Sequence, residues 1–189
     1  MLLWNTWYYT NKMATRYHNI SGETTTELFS ASDSIRTKSI SIVNKHASTK
    51  CTVDLYAGTL STPDSTVATK YYFLKGVELP VGVTLEYDFK SNDSIGQLGL
   101  YIKLTKSDIF TLTGSIDVTG TNTNVPGTNT LYLSELAVGD EITVTGETRT
   151  IATITSDTAA TVTAAWGSDL ANDTTPDCSP KSKVDVILS

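Results

Sequence analysis

From residue 16 onward, apolar and polar positions alternate in short runs, the period-2 signature of strands with one buried face. Residues 24–29 read as one such strand. In 38–43, Ile40 and Ile42 share a face with serines opposite, and in 51–56 the inward set is Cys51, Val53 and Leu55. Residues 69–74 and 83–87 continue the pattern, and 98–104 place Leu98, Leu100, Ile102 and Leu104 on one side. Turn clusters separate the runs; 44–48, containing His46, is one. No helical period intervenes. The prediction is an all-β fold: an antiparallel β-sandwich, jelly-roll or immunoglobulin-like.

The texture changes near residue 109. Residues 111–130 are mostly Thr, Gly, Ser, Asn, Asp and Val, and a second β set follows at 130–133, 141–146, 150–154 and 160–163. A tight turn at 136–140 lies between the first two. This set suits an inserted small β-barrel of SH3 or OB size. Residues 167–182 read as loop, with Pro176 and Pro180, yet 183–188 is again a strand. Residues 104–107 and 180–183 look like the two ends of an interrupted hairpin. The organisation expected is an N-terminal aromatic arm (1–15), a host sandwich (16–108 plus 181–189) and an insert (109–180).

Charge sharpens that division. The chain of 189 residues has net charge −6. Residues 109–180 hold nine acids against Arg149 alone, a net −8, which leaves +2 for the remainder. Only Phe110, Tyr132 and Trp166 of the sixteen aromatics fall in the insert. Such a shift suits an independently folded module that projects into solvent. There are 33 Thr and 19 Ser, and the charged fraction is 18%, which favours strands over helical bundles or coiled coils. The acidity argues against direct nucleic-acid binding, and no apolar run is long enough to span a membrane. The first residues lack a basic n-region and a long apolar stretch, so no secretory signal is expected.

Candidate chemistry is sparse. His18 and His46 lie in no metal-binding pattern and read as solvated polar residues. Cys51 falls on an inward phase, and Cys178 sits in an acidic loop that would raise its pKa; without an export signal, free thiols are expected over a disulfide. The adjacent acids Asp140 and Glu141 would point to opposite faces of a strand, so they read as solvated faces and not as a carboxylate pair or calcium site. No phosphate loop or nucleophile elbow is present, and the expectation is no enzyme, no cofactor and no metal. The candidate interaction residues are Trp4, Trp7, Tyr8 and Tyr9 of the arm, with Tyr71 and Tyr72 of the Tyr71-Tyr72-Phe73 cluster.

Two stretches carry a resemblance. Residues 35–44 and 71–86 follow the patterns I-x-I-x-N and Y-x-L-K-x-V-x-[IL]-P-x-G-x-[ST]-L-E. They resemble small β-sandwich structural proteins of tailed bacteriophages. Residues 134–144 and 149–162 resemble a barrel module common in virion proteins, especially of cyanophages and related marine phages. The resemblance implies a non-enzymatic virion structural protein, made in the host cytoplasm, whose partners are other virion proteins of capsid, neck or tail. It offers no catalytic residues. Capsid decoration is the leading expectation, with homo-oligomeric assembly. A neck, tail or baseplate accessory protein and a carbohydrate- or receptor-binding module are the alternatives.

Overall fold

A computed structural model describes residues 15–31, 37–59, 69–90, 98–105 and 108–189. Seven strands come first: β1 (Arg16–Ser21), β2 (Thr25–Phe29), β3 (Ser39–Asn44), β4 (Cys51–Gly58), β5 (Lys70–Leu79), β6 (Thr84–Asp88) and β7 (Gly99–Thr105). There follow β8 (Phe110–Thr111), β9 (Ser115–Val118), β10 (Asn124–Thr128), helix α1 (Tyr132–Glu135), β11 (Glu141–Val144), β12 (Glu147–Ser156), β13 (Ala159–Val162), β14 (Leu170–Asp173) and β15 (Asp177–Ser179). Strand β16 (Lys183–Leu188) closes the chain.

The first seven strands and β16 make two four-stranded antiparallel sheets, ordered β1-β16-β3-β6 and β2-β7-β4-β5. Counting β16 as the eighth strand, the orders are 1-8-3-6 and 2-7-4-5, the double Greek key of a jelly roll. This resolves the sandwich in favour of the jelly roll over the immunoglobulin-like alternative. Alternation places Ile40 and Ile42 of β3 beside Val184, Val186 and Leu188 of β16 on one inner face. Val53 and Leu55 of β4 join Leu100, Ile102 and Leu104 of β7 on the other. All ten are buried, as the period-2 pattern requires.

β16 is not the partner of β7. It lies in the opposite sheet, between β1 and β3, so the interrupted-hairpin expectation is corrected. The two chain ends still meet: the Ser182 hydroxyl donates to the Thr105 carbonyl at 3.1 Å.

Strands β8–β15 form one antiparallel order, β14-β9-β10-β13-β12-β11-β15-β8, around a second core. Ile116, Val125, Ile142, Val144, Ile151, Trp166 and Cys178 are buried there. Among the described residues, no side chain belongs to both cores. Two local expectations change, and one stretch read only by its composition gains strands. Residues 130–133 do not form a strand; α1 occupies this place, because Tyr132 and Leu136 are buried at a spacing of four, which suits a helical turn, while Leu131 and Leu133 stay exposed. Residues 167–182 are not all loop, since β14 and β15 pair with β9 and β11. Residues 111–130 hold β9 and β10, whose inward Ile116, Val118 and Val125 are diluted by Thr, Gly and Asn.

Candidate functional site

Two places in the fold gather the side chains singled out by the sequence. The first is the outer face of the β2-β7-β4-β5 sheet. Strand β5 is its edge, and Tyr71 and Tyr72 there are 58% and 40% exposed. Register places Tyr72 opposite Tyr56 of β4, and Tyr56 opposite Tyr101 of β7. The ring centroids are 5.4 Å and 5.9 Å apart, a continuous aromatic row across three strands. At its far end the Tyr101 hydroxyl donates to Glu27 Oε1 at 2.8 Å. Lys75 Nζ sits 5.1 Å from the Tyr72 ring centre, and Lys70 Nζ 4.9 Å from that of Tyr56. Tyr56 and Tyr101 are buried but lie outside the core between the sheets. Phe73 turns the other way and packs against Tyr87 and Phe89. Simple alternation would divide each neighbouring pair, yet Tyr71 and Tyr72 are both exposed and Phe73 and Leu74 both pack on the core, across a register shift between the Leu55–Leu74 and Tyr56–Tyr72 pairs. Trp4, Trp7, Tyr8 and Tyr9 lie outside the described residues.

The second place is the joint between the jelly roll and β8–β15. His46, in the β3–β4 turn, is not solvated. Its side chain is 1% exposed and that of its partner Asp140 is 0%, with His46 Nε2 2.9 Å from Asp140 Oδ1. The turn is fixed from behind by Asn44, whose side chain donates to the carbonyls of Thr49 and Leu79 and accepts from the His46 backbone N–H. Backbone N–H groups of Ser48 (3.2 Å) and Thr49 (3.0 Å) both point at His46 Nδ1. Two fixed donors require a lone pair on Nδ1, so the ring proton is on Nε2 and is donated to Asp140. Asp140 also accepts the N–H of Ala137 at 2.8 Å and of Lys181 at 3.1 Å. The solvated-face reading of Asp140 is thus corrected as well: a buried carboxylate with three donors replaces it. Glu141 alone keeps to the surface, 3.4 Å from Lys181 Nζ.

The Thr49 hydroxyl is 2.9 Å from His46 Nδ1, so hydroxyl, imidazole and carboxylate are linked in the order used by acyl-transfer enzymes. The chemistry does not follow from the linkage. A base must offer a free lone pair to the hydroxyl proton, and this one is already shared by two backbone N–H groups. The ring acts as a hydrogen-bond hub.

Both cysteines are buried and free, one in each core. Burial pushes the Cys51 thiol up to about 11, far from the reactive range. Cys178 lies on β15, not in a loop, and its inward phase buries it among insert side chains. His18 is half-buried, and burial draws its pKa below the ordinary value, with the Leu28 carbonyl acting in the opposite direction. Among the described residues, no three His, Cys, Asp or Glu side chains converge to hold a metal ion, and no helix is long and apolar enough to cross a membrane.

Sequence reasoning singled out Tyr71 and Tyr72, which are exposed on β5, and missed the His46–Asp140 pair. The partners are 94 residues apart, and the only local signal was an Asp in a Gly-containing turn that needed something to satisfy it. Comparison with family models, curated proteins and solved structures finds no match for this chain.

Proposed function

We propose that this chain is a non-enzymatic structural protein of a tailed-bacteriophage virion, acting as a capsid decoration protein that binds other virion subunits. The observation that carries the reading is a jelly roll whose connection between the seventh and eighth strands is expanded into a second β unit with its own core. Jelly rolls serve repeatedly in viral capsids. The resembling stretch 71–86 falls on β5, the turn after it and the start of β6, where Gly82 at φ +68° donates its N–H to the Asn44 carbonyl. The β5 edge then offers Tyr71 and Tyr72 to a neighbouring subunit, and the acidic unit faces solvent. Copies assemble with cyclic symmetry. The same contacts would serve a neck, tail or baseplate position.

The test is to locate the chain in an intact particle by electron microscopy. Density on the capsid lattice supports decoration; density at the neck or tail moves the protein to that position, and absence from the particle overturns the proposal. Deleting residues 1–10 should weaken incorporation while the fold persists, and unchanged occupancy would refute the arm model. A carbohydrate-binding reading draws on Tyr72, the exposed end of the Tyr72–Tyr56–Tyr101 row, since lectin domains also use jelly rolls. A glycan array probed with the intact protein separates it: specific binding lost in Tyr72→Ala favours the receptor-binding role.

A further inference from the structure

The two units are joined by chain twice, between Thr105 and Phe110 and again between Ser179 and Lys183. The outgoing and returning ends lie side by side, tied by the Ser182 hydroxyl on the Thr105 carbonyl. Two neighbouring links define a hinge line and leave rotation about it free. Among the described residues the two apolar cores are separate clusters, so neither core extends across the joint. Domains joined without a large apolar interface move relative to one another by default.

Among the described residues polar ties cross the joint, and their centre is one carboxylate. Asp140 Oδ2 holds the Ala137 N–H within its own turn, while Oδ1 takes the Lys181 N–H on the returning link and the His46 Nε2–H from the jelly roll. A single side chain therefore gathers the insert turn, the link and the host turn. Two weaker ties stand beside it: the Ser48 hydroxyl on the Glu135 carbonyl at 2.9 Å, and Lys183 Nζ on the Val138 carbonyl. Lys183 and Ser48 are only partly buried, whereas His46 and Asp140 are sealed from water.

We infer that the His46–Asp140 pair is a latch that fixes the orientation of the β8–β15 unit on the jelly roll, and that breaking it lets the unit swing while both cores stay folded. Without His46, Asp140 keeps the Ala137 and Lys181 donors but loses its third in a dry site, so entry of water at the joint is favoured over leaving the buried carboxylate under-satisfied. The two cores are built from apolar side chains, and His46 and Asp140 are members of neither, so both cores are expected to persist without the pair. The inference does not rest on the virion role; any protein presenting the acidic unit to a partner would gain from holding it at one angle.

The experiment uses the full chain. Backbone ¹⁵N relaxation gives a rotational correlation time for each unit separately. In the wild type one shared correlation time should fit both. In His46→Ala and Asp140→Ala it should split into two shorter ones, while amide shifts of Ile42, Val186, Ile142 and Val162 remain native. Asp140→Asn, which keeps an acceptor for Lys181 and the shape of the side chain, should fall between. A single unchanged correlation time in both alanine variants would overturn the latch. Collapse of core shifts in the alanine variants, repeated in Asp140→Asn, would also overturn it, because the pair would then hold the fold and not the angle.

Discussion

Separate cores make a quantitative claim about Ile42→Ala. Ile42 is fully buried on β3, with Val186 of β16 on one side and Leu85 of β6 on the other. The substitution removes three carbons, worth about 2.4 kcal/mol at about 0.8 kcal/mol per buried methylene. The cavity it leaves brings the expected loss to about 3–4 kcal/mol, inside the range for buried Ile→Ala. With a urea slope of about 1.5–2 kcal/mol/M for a unit of this size, the host midpoint should fall by about 2 M. The two cysteines provide the assay, since Cys51 is buried in the host core and Cys178 in the other. Pulsed alkylation across a urea series, read by peptide mass spectrometry, follows each core by its own thiol. Ile42→Ala should shift the Cys51 curve and leave the Cys178 curve in place; Ile142→Ala should do the reverse. If both curves move together by the same amount in either variant, the molecule unfolds as one cooperative unit and the two cores are not independent.

Gly114 sits at φ +85°, and an added Cβ would strike the backbone of Thr128 and Asn129, so Gly114→Ala should cost the insert about 2–3 kcal/mol, read in the Cys178 alkylation curve alone. The Cys51 thiol, raised from 9.0 to about 11, stays neutral in the folded host while the unfolded chain ionises. Its contribution is therefore complete below pH 9 and lost as pH climbs towards 11; Cys51→Ala should flatten the host's pH–stability curve over that window, and an unchanged slope would refute the assignment. Tyr72→Ala removes the ring against Tyr56 and the cation over it, for a loss of about 1 kcal/mol in host stability. The same variant should weaken self-association in sedimentation velocity well beyond what that loss explains, whereas equal association in wild type and variant would free β5 from the interface role.

Strands were legible where one face is core and the other is not. Ile40/Ile42 and Val53/Leu55 alternate against polar neighbours, and burial reads back the same alternation. Legibility failed where strands are short and their outward positions carry no contrast. β8 has two residues and β15 three, and around Ile116 and Val125 the chain is so rich in Thr and Gly that two or three inward residues set no period. α1 failed for a related reason: four residues cannot display a helical period, and the Leu131, Tyr132, Leu133 run imitates a strand. His46 failed differently. A turn histidine is usually solvated, and nothing within ten residues of it announces a carboxylate that arrives from the far unit.

The site of the insertion follows from the geometry of both parts. The connection leaving β7 and entering β16 crosses from one sheet to the other, so it passes over an end of the sandwich and breaks no ladder when lengthened. Its ends lie together, as the Ser182–Thr105 hydrogen bond records. The inserted unit meets the same requirement from its own side. Its first strand, β8, pairs with its last, β15, through Thr111 opposite Asp177 and Phe110 opposite Cys178. The unit therefore begins and ends at one place, and it can be carried on a narrow pair of links without straining either β7 or β16. Closing so long a loop costs entropy that grows only with the logarithm of its length, so a folded unit of this size is tolerated almost as well as a short one. Two adjacent links alone would nonetheless leave the acidic unit free to turn about them. A buried carboxylate taking donors from the insert, the link and the host is the residue such a junction requires, and Asp140 occupies that position.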